Sequence, residues 1–566
     1  MDPLPLEPSW ERKALNRTTF GCREVDEQYV QQVGWETWVE DQLNPPEGDD
    51  PELATFMAQQ VLHIEYNSSA DEEEDNERIE GWEAVDELRP LNYLNMPEQE
   101  LYEVLINAGN TVAWDEVWRV YTETMNSVYI RASHSNYQLR EVMTDFWLNH
   151  FSVWYDGDDI MRLSTLIYDR DVIRPRVFGN FRDMLGATAT SSAMMWYLDN
   201  AGSPATLPNE NYARELMELH TLGEDAYLGT VDPDDVEKDE NGVAVGFTGE
   251  DVIQVSRALS GWTVEVGQWG GGSVGPLPYT WLFAYNPFQH NTNANTFLGQ
   301  DLLNLTDDME QGERVLDLLA AHPATANFVV TKMVRRFFGE NPPQAVIDRA
   351  VETWMDNLDA DDQIRRVVES ILVEGTEIGD EAPARIRRPF EKMVASWRAM
   401  GATVGASWVW PWLPTQTQDA AFSWPGPDGR PTENNYWLAG TQVMLAWNAM
   451  YQVATWSGVI TDDLMDEMPG EAKDSAMTMT DFWIGRMLGH ELASPESYNA
   501  LIDYQFTWAG PFTHWTWALQ TEDQEDQEDQ EDQEDQEDQE QHLRNAQITT
   551  RGFASIIATS DEFAWV

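Results

Sequence analysis

The segment NENYARELMELHTLG, Asn209 to Gly223, gathers Arg214, Glu215, Glu218 and His220 within two helical turns. Carboxylates beside an imidazole are what general acid–base catalysis or divalent-metal ligation uses, and an arginine fork suits an anionic group. Wound at about 100° per residue, Asn211, Glu215 and Glu218 form one stripe with Arg214 beside it. Tyr212, Ala213, Leu216 and Leu219 take the other side, and His220 falls among them. Glu218 and His220 therefore do not share a face, so this helix cannot supply a metal pair alone. The plainer reading is a solvated face on which an Arg214–Glu218 pair contributes about 0.3 kcal/mol.

His150, in YQLREVMTDFWLNHFSVW, shares a helical face with Leu139, Val142, Met143 and Phe146, while Glu141 and Asp145 lie to the side. Two readings stay open for His150 and His220. Each is a buried neutral imidazole satisfied by a carbonyl or carboxylate, or the two converge in a cleft as acid–base or metal-binding groups. His290 sits in the turn-rich NPFQHN, and His322 precedes Pro323 at a helix entry, where capping or packing is the plain alternative. With Glu215 or Glu218 these histidines would suit a divalent metal, although no pair has a ligand spacing within one helix. In EKDENGVAVGFT, Glu237, Asp239 and Asn241 alternate before Gly242 like half an EF-hand. Thr248 stands where the bidentate glutamate belongs, so a strong calcium site is excluded and a weak one left open. No P-loop, dinucleotide fingerprint or nucleophile elbow is present.

Helical periodicity dominates the segments that must position these residues. It predicts a mostly α protein: one large multi-helical fold over 1–566 with long loops, and a small β-hairpin near 264–285. Residues 66–80 read as an acidic loop, 224–246 as an acidic loop insertion and 520–543 as a low-complexity EDQ insert. Two short helices are expected between Trp10 and Leu43, and two long ones between Leu101 and Phe151. The uncharged stretch from Asn434 to Ile460 is long enough for a bilayer, but Gln442, Asn448 and Gln452 interrupt it and no cationic cluster flanks it. A buried core helix is expected there, and no transmembrane span.

Acidic residues number 100 against 34 lysines and arginines, a net charge of −66, while 42% of residues are hydrophobic and 26 are tryptophan. That is a folded chain with an acidic surface, repelled by nucleic acid and matched to high salt. Lysine occurs only at 13, 238, 332, 392 and 473, so the remaining cations are arginine. Cys22 is alone, which excludes an intrachain disulfide. The first twenty residues show neither a basic nor an apolar leader region, fitting a cytoplasmic protein of a halophile or a mature or trimmed exported form. Trp408, Trp410, Trp412 and Trp424 could serve partner or carbohydrate contact, or seal the core.

The opening segment together with GFTGEDVIQVSRALSGWTV resembles the signature of the bacterial family called domain of unknown function 1800. REVMTDFWLNHFSV, NPFQHNTNANTFLGQDL, LDLLAAHPATANFVVTKMVRRF and RRPFEKMVASWRAMGA agree in order, so the resemblance covers nearly the whole chain. It implies a mostly helical, usually exported protein, often encoded beside a sulfatase-like family, and it implies no reaction. His150, Arg214, Glu215, Glu218, His220, His290 and His322 lie in the matching blocks. The long loop before Gly246 and the EDQ tract depart from the pattern. The function expected is an accessory or binding protein acting with a secreted sulfatase-like partner in a high-salt or marine bacterium. The alternatives are a metal- or acid/base-dependent hydrolase or lyase of an extracellular polymer, and a non-catalytic carbohydrate-binding or scaffold protein.

Overall fold

The computed structural model describes residues 4–566 other than 70–71, 75–76, 80, 107–111, 269–274, 304, 306–308, 374–376, 380–384, 456–458, 461–463, 508–509 and 518–531. The chain is 58% helical. It opens with α1 (Trp10–Thr18), α2 (Glu24–Val33), α3 (Trp35–Gln42) and α4 (Pro51–Ala58). Three helices thus stand between Trp10 and Leu43 where two were expected, because Gly34 adopts φ +88° and breaks the run.

The antiparallel pair β1 (Val61–Tyr66) and β4 (Val85–Pro90) encloses a second pair, β2 (Glu72–Glu74) and β3 (Glu77–Ile79). The acidic segment 66–80 is therefore not simply a loop. Leu62 and Ile64 are buried while His63 and Glu65 are exposed, the two-residue alternation of a strand with one covered face.

Next come α5 (Glu98–Leu105), α6 (Trp114–His134) and α7 (Gln138–His150), again three helices where two were expected. α8 (Asp159–Ile167) runs into a π-helical stretch, Tyr168–Ile173, followed by α9 (Phe181–Ala189), α10 (Ser192–Tyr197), α11 (Glu210–Glu218) and α12 (Gly249–Ala258). The expected hairpin is present as β5 (Trp262–Val266) with β6 (Tyr279–Tyr285), and β7 (Thr296–Phe297) pairs β8 (Gln300–Asp301). α13 (Glu310–Ala320), α14 (Pro323–Phe338), α15 (Gln344–Asp356), α16 (Gln363–Leu372) and α17 (Pro389–Met400) lead to α18 (Trp412–Thr417). α19 (Asn434–Trp437), α20 (Gly440–Thr455), α21 (Ala476–Leu488), α22 (Pro495–Gln505), α23 (Asp532–Ile557) and α24 (Asp561–Ala564) complete the order. Residues 532–541 of the EDQ tract lie in α23, and the earlier part of the tract falls outside the described residues.

The stretch 434–460 does not form the fully buried helix expected of it. α20 buries Ala446, Ala449, Met450 and Val453 on one side and leaves Met444, Trp447 and Tyr451 exposed on the other. Among the described residues no helix is long and apolar enough to cross a membrane.

Among the described residues one large apolar cluster runs from Ala14 to Phe563, with a small second one at Ile386, Trp437 and Ala564. α17 is buried at every position and packs against α6, α20, α21 and α23. α7 is buried except at Asn149. Helices covered on all sides must match their charges internally, since an unpaired buried charge is far costlier than a solvated one. α7 carries Arg140, Glu141 and Asp145, and α17 carries Glu391, Lys392 and Arg398. Those obligatory pairings build the site.

Candidate functional site

His150 closes the last turn of α7. Its Nε2 lies 3.0 Å from the carbonyl oxygen of His220. A carbonyl only accepts, so Nε2 carries the hydrogen and Nδ1 presents a lone pair. Lys332 Nζ, on α14, donates to that nitrogen at 3.0 Å and sits 5.2 Å over the Phe328 ring. Burial, then the Lys332 charge, hold His150 well below the ordinary histidine value, and burial pulls Lys332 down to about 8. Asp428 acts on Lys332 in the opposite direction. The two histidine rings stand 6.3 Å apart; burial takes His220 down to about 3, and its Nε2 meets no hydrogen-bond partner.

Beside this pair lies a cavity of about 70 Å³ whose wall includes Asn149, His150, Lys332, Arg335, Arg336, Arg385 and Arg388. Asp145 Oδ2 meets Arg388 at 2.7 Å and its Oδ1 meets Arg430 at 2.6 Å. Asp419 bridges the same two guanidinium groups at 3.6 and 3.4 Å. Glu391 meets Arg385 at 2.7 Å and accepts the backbone N–H of Arg388 at 3.0 Å, fixing the first turn of α17. Burial alone would raise the Asp145 and Glu391 carboxyls; the guanidinium groups outweigh it and hold both below the usual range. Asp419 remains raised, burial being the larger effect there.

Lys332, Arg336, Arg385, Arg388 and Arg430, with the exposed Arg335 at the rim, thus stand around Asp145, Asp419 and Glu391, while Asp428 also acts on Lys332. Arg336 is the least compensated. Its side chain is 8% exposed, and its Nη2 lies 2.9 Å from Glu391 Oε1 without the alignment of a hydrogen bond. Among the described residues Nε and Nη1 meet no acceptor, and burial pulls the group down to about 10. In a chain of net charge −66, this is a desolvated pocket with positive excess, suited to an incoming anion.

α11 supplies less than its composition promised. Asn209 Oδ1 caps it at 2.9 Å from Asn211 N, and the helix ends at Glu218. Arg214 and Glu218 pair at 3.1 Å on a partly exposed face, with Arg214 5.8 Å from the Tyr227 ring. Glu215 is raised by burial and by Glu218, with Asp428 nearby. Glu215, Glu218 and Arg214 do not line the cavity. The segment's contribution is the His220 carbonyl, brought against α7 after the helix has ended. Gly223 has φ +87° at this exit, and a Cβ there would stand 2.8 Å from Phe328 Cδ2.

The other candidates lie elsewhere. His290 bonds the Ser260 carbonyl at 2.8 Å and Gln311 Oε1 at 3.1 Å. His322 bonds the Ala244 carbonyl at 2.9 Å and caps α14 by accepting from Ala324 N at 3.0 Å. Both rings thus have both nitrogens engaged in hydrogen bonds, and neither lies beside Glu215 or Glu218 in those bonds. Among the described residues no group of three or more His, Cys, Asp or Glu is placed to hold an ion. Asp239 Oδ1 accepts from Asn241 N and Val243 N, each at 2.8 Å, so the Glu237–Asn241 stretch closes on itself as a turn. Trp410 is a core residue, 4.7 Å from Tyr129, whereas Trp408 and Trp412 are about two-fifths exposed.

Sequence reasoning reached His150 and missed Lys332, Arg336, Arg385 and Arg388. The available signal was the scarcity of lysine and the arginine clusters in TKMVRRF and ARIRRPFEK.

Fold and site together define a mostly α-helical protein with a cationic internal cavity between α7, α14 and the entry to α17. A family model, protein of unknown function (DUF1800), matches residues 13–565, and the chain belongs to that family. Comparison with curated proteins and with solved structures gives no match.

Proposed function

We propose that this chain is a binding protein that receives an anionic group, a carboxylate or sulfate ester, in the Lys332–Arg336–Arg388 cavity, and that it works outside the cell beside a sulfatase-like partner. The observation that carries the reading is Arg336, a buried guanidinium with two nitrogens that face no acceptor among the described residues. An unmatched buried cation is destabilising, and an arriving anion relieves it. The sulfatase-like partner and exported location rest on the family resemblance, and a cavity for anionic groups is compatible with both. The high-salt or marine habitat rests on surface charge.

Thermal unfolding with millimolar sodium sulfate, phosphate or acetate, against sodium chloride at matched ionic strength, tests the reading. At a ligand concentration of 100 times Kd the folded state gains about 2.7 kcal/mol. A saturable rise in Tm is expected for the native chain and not for Arg336→Ala, a comparison that removes the general stabilisation by sulfate. Equal rises in both proteins would refute it. A second reading, an acid–base hydrolase or lyase acting on an anionic polymer, is favoured by one observation, the hydrogen bond between Lys332 and His150.

A further inference from the structure

The cavity wall contains one lysine among four arginines. For holding an anion the choice is odd. A guanidinium offers a flat fork of donors and stays charged, whereas an ammonium is a point charge that can lose its proton. The chain uses lysine at only five positions, so its appearance here calls for a property arginine lacks.

Lys332 also lacks the partner that would hold it protonated. Its Nζ donates to the unprotonated Nδ1 of His150 at 3.0 Å and faces the Phe328 ring, and no described carboxylate lies within ion-pair distance. Removal from water favours the free amine against the opposing pull of Asp428, and a free amine is the form in which lysine is a nucleophile. With one N–H committed to His150, the amine lone pair is available to the cavity. Arg336 and its neighbours stand ready to hold an anionic group on the same ligand.

We propose that Lys332 captures a small carbonyl-bearing anion, an aldehyde or ketone carrying a carboxylate, as an imine. This rests on the anion-receiving reading of the cavity. The amine lone pair forms an N–C bond to the carbonyl carbon, and the C=O π pair moves to oxygen, which takes a proton from water, while the hydroxide so formed removes one proton from the nitrogen. The resulting carbinolamine loses its hydroxyl as water while the nitrogen sheds a proton, leaving C=N. One water is released per imine, and no oxidant or reductant takes part. The depressed Lys332 value, about 8, is in keeping with a usable amine near neutral pH.

Glyoxylate with sodium cyanoborohydride tests this on the full chain, because reduction fixes the imine as a carboxymethyl group that peptide mapping locates. Lys332 should be modified about tenfold faster than Lys13, Lys238, Lys392 or Lys473. Sulfate should suppress that modification, and acetaldehyde, which has no anionic group, should lose the preference for Lys332. Lys332→Arg should lower total glyoxylate incorporation to that of the four other lysines; should that variant fail to fold, the native map and the sulfate competition decide. Modification spread evenly over the lysines, or insensitive to sulfate, overturns the proposal. If sulfate stabilises through Arg336 and Lys332 stays unmodified, the imine falls and the anion site stands; if neither effect is seen, both fall.

Discussion

At the scale of single residues, Lys332 is a half-buried ammonium with no described carboxylate at ion-pair distance. Its folded value of about 8 lies below the 10.5 of a free lysine. Between those values the unfolded chain binds more protons than the folded one, so this residue makes stability rise with pH across that window, and below it the penalty is fully present. Lys392 is also pulled to about 8 and shares the window, so a difference is needed to isolate Lys332. In urea unfolding at pH 7 and pH 10, the advantage of Lys332→Met over the native chain should shrink at the higher pH. An advantage that does not change would mean the amine is not desolvated. Asp145 is the opposite case. It neutralises Arg388 and Arg430 inside the core, and Asp145→Asn strands part of that positive charge, with an expected loss of about 3–5 kcal/mol in the same assay.

At the scale of elements, two neighbouring positions should behave differently. Arg214→Ala removes an exposed pair and should cost about 0.5 kcal/mol or less, leaving the response to sulfate unchanged. Gly223→Ala should cost about 1–3 kcal/mol, because φ +87° is unfavourable for alanine and its Cβ would press on Phe328. That ring lies under Lys332, so Gly223→Ala should also weaken the sulfate response, measured as the shift in Tm. The two faces of α11 were legible because helical spacing is local: Arg214 and Glu218, four residues apart, pair as expected. The β1–β4 ribbon was missed although its alternation is written in Val61–Tyr66, because the intervening acids resemble a loop. The cavity was hidden for another reason. His150, Lys332 and Arg388 come from segments more than fifty residues apart, and sequence spacing carries no information about such contacts. His150 was reachable as a histidine on an apolar face, whereas the partner of its Nδ1 was not.

At the scale of the whole molecule, charge is sorted by depth. The whole chain carries −66, while Lys332, Arg336, Arg385, Arg388 and Arg430 gather around one cavity with Asp145, Asp419 and Glu391. The two populations should answer differently to salt. Repulsion between exposed carboxylates is screened over about 10 Å at 0.1 M and about 3 Å at 1 M, whereas buried pairs such as Asp145–Arg430 are screened far less. Stability should therefore rise steeply with sodium chloride towards 1 M, from relief of surface repulsion. The EDQ tract from 522 to 541 holds 13 of the acidic residues, so replacing them with glutamine leaves −53 on the rest of the chain. If the acidity is distributed over the folded surface, that variant should keep most of the salt dependence of its unfolding midpoint. A variant that unfolds at the same midpoint in 0.1 M and 1 M salt would instead place the salt requirement in the tract, and the surface of the helical fold would need no saline environment.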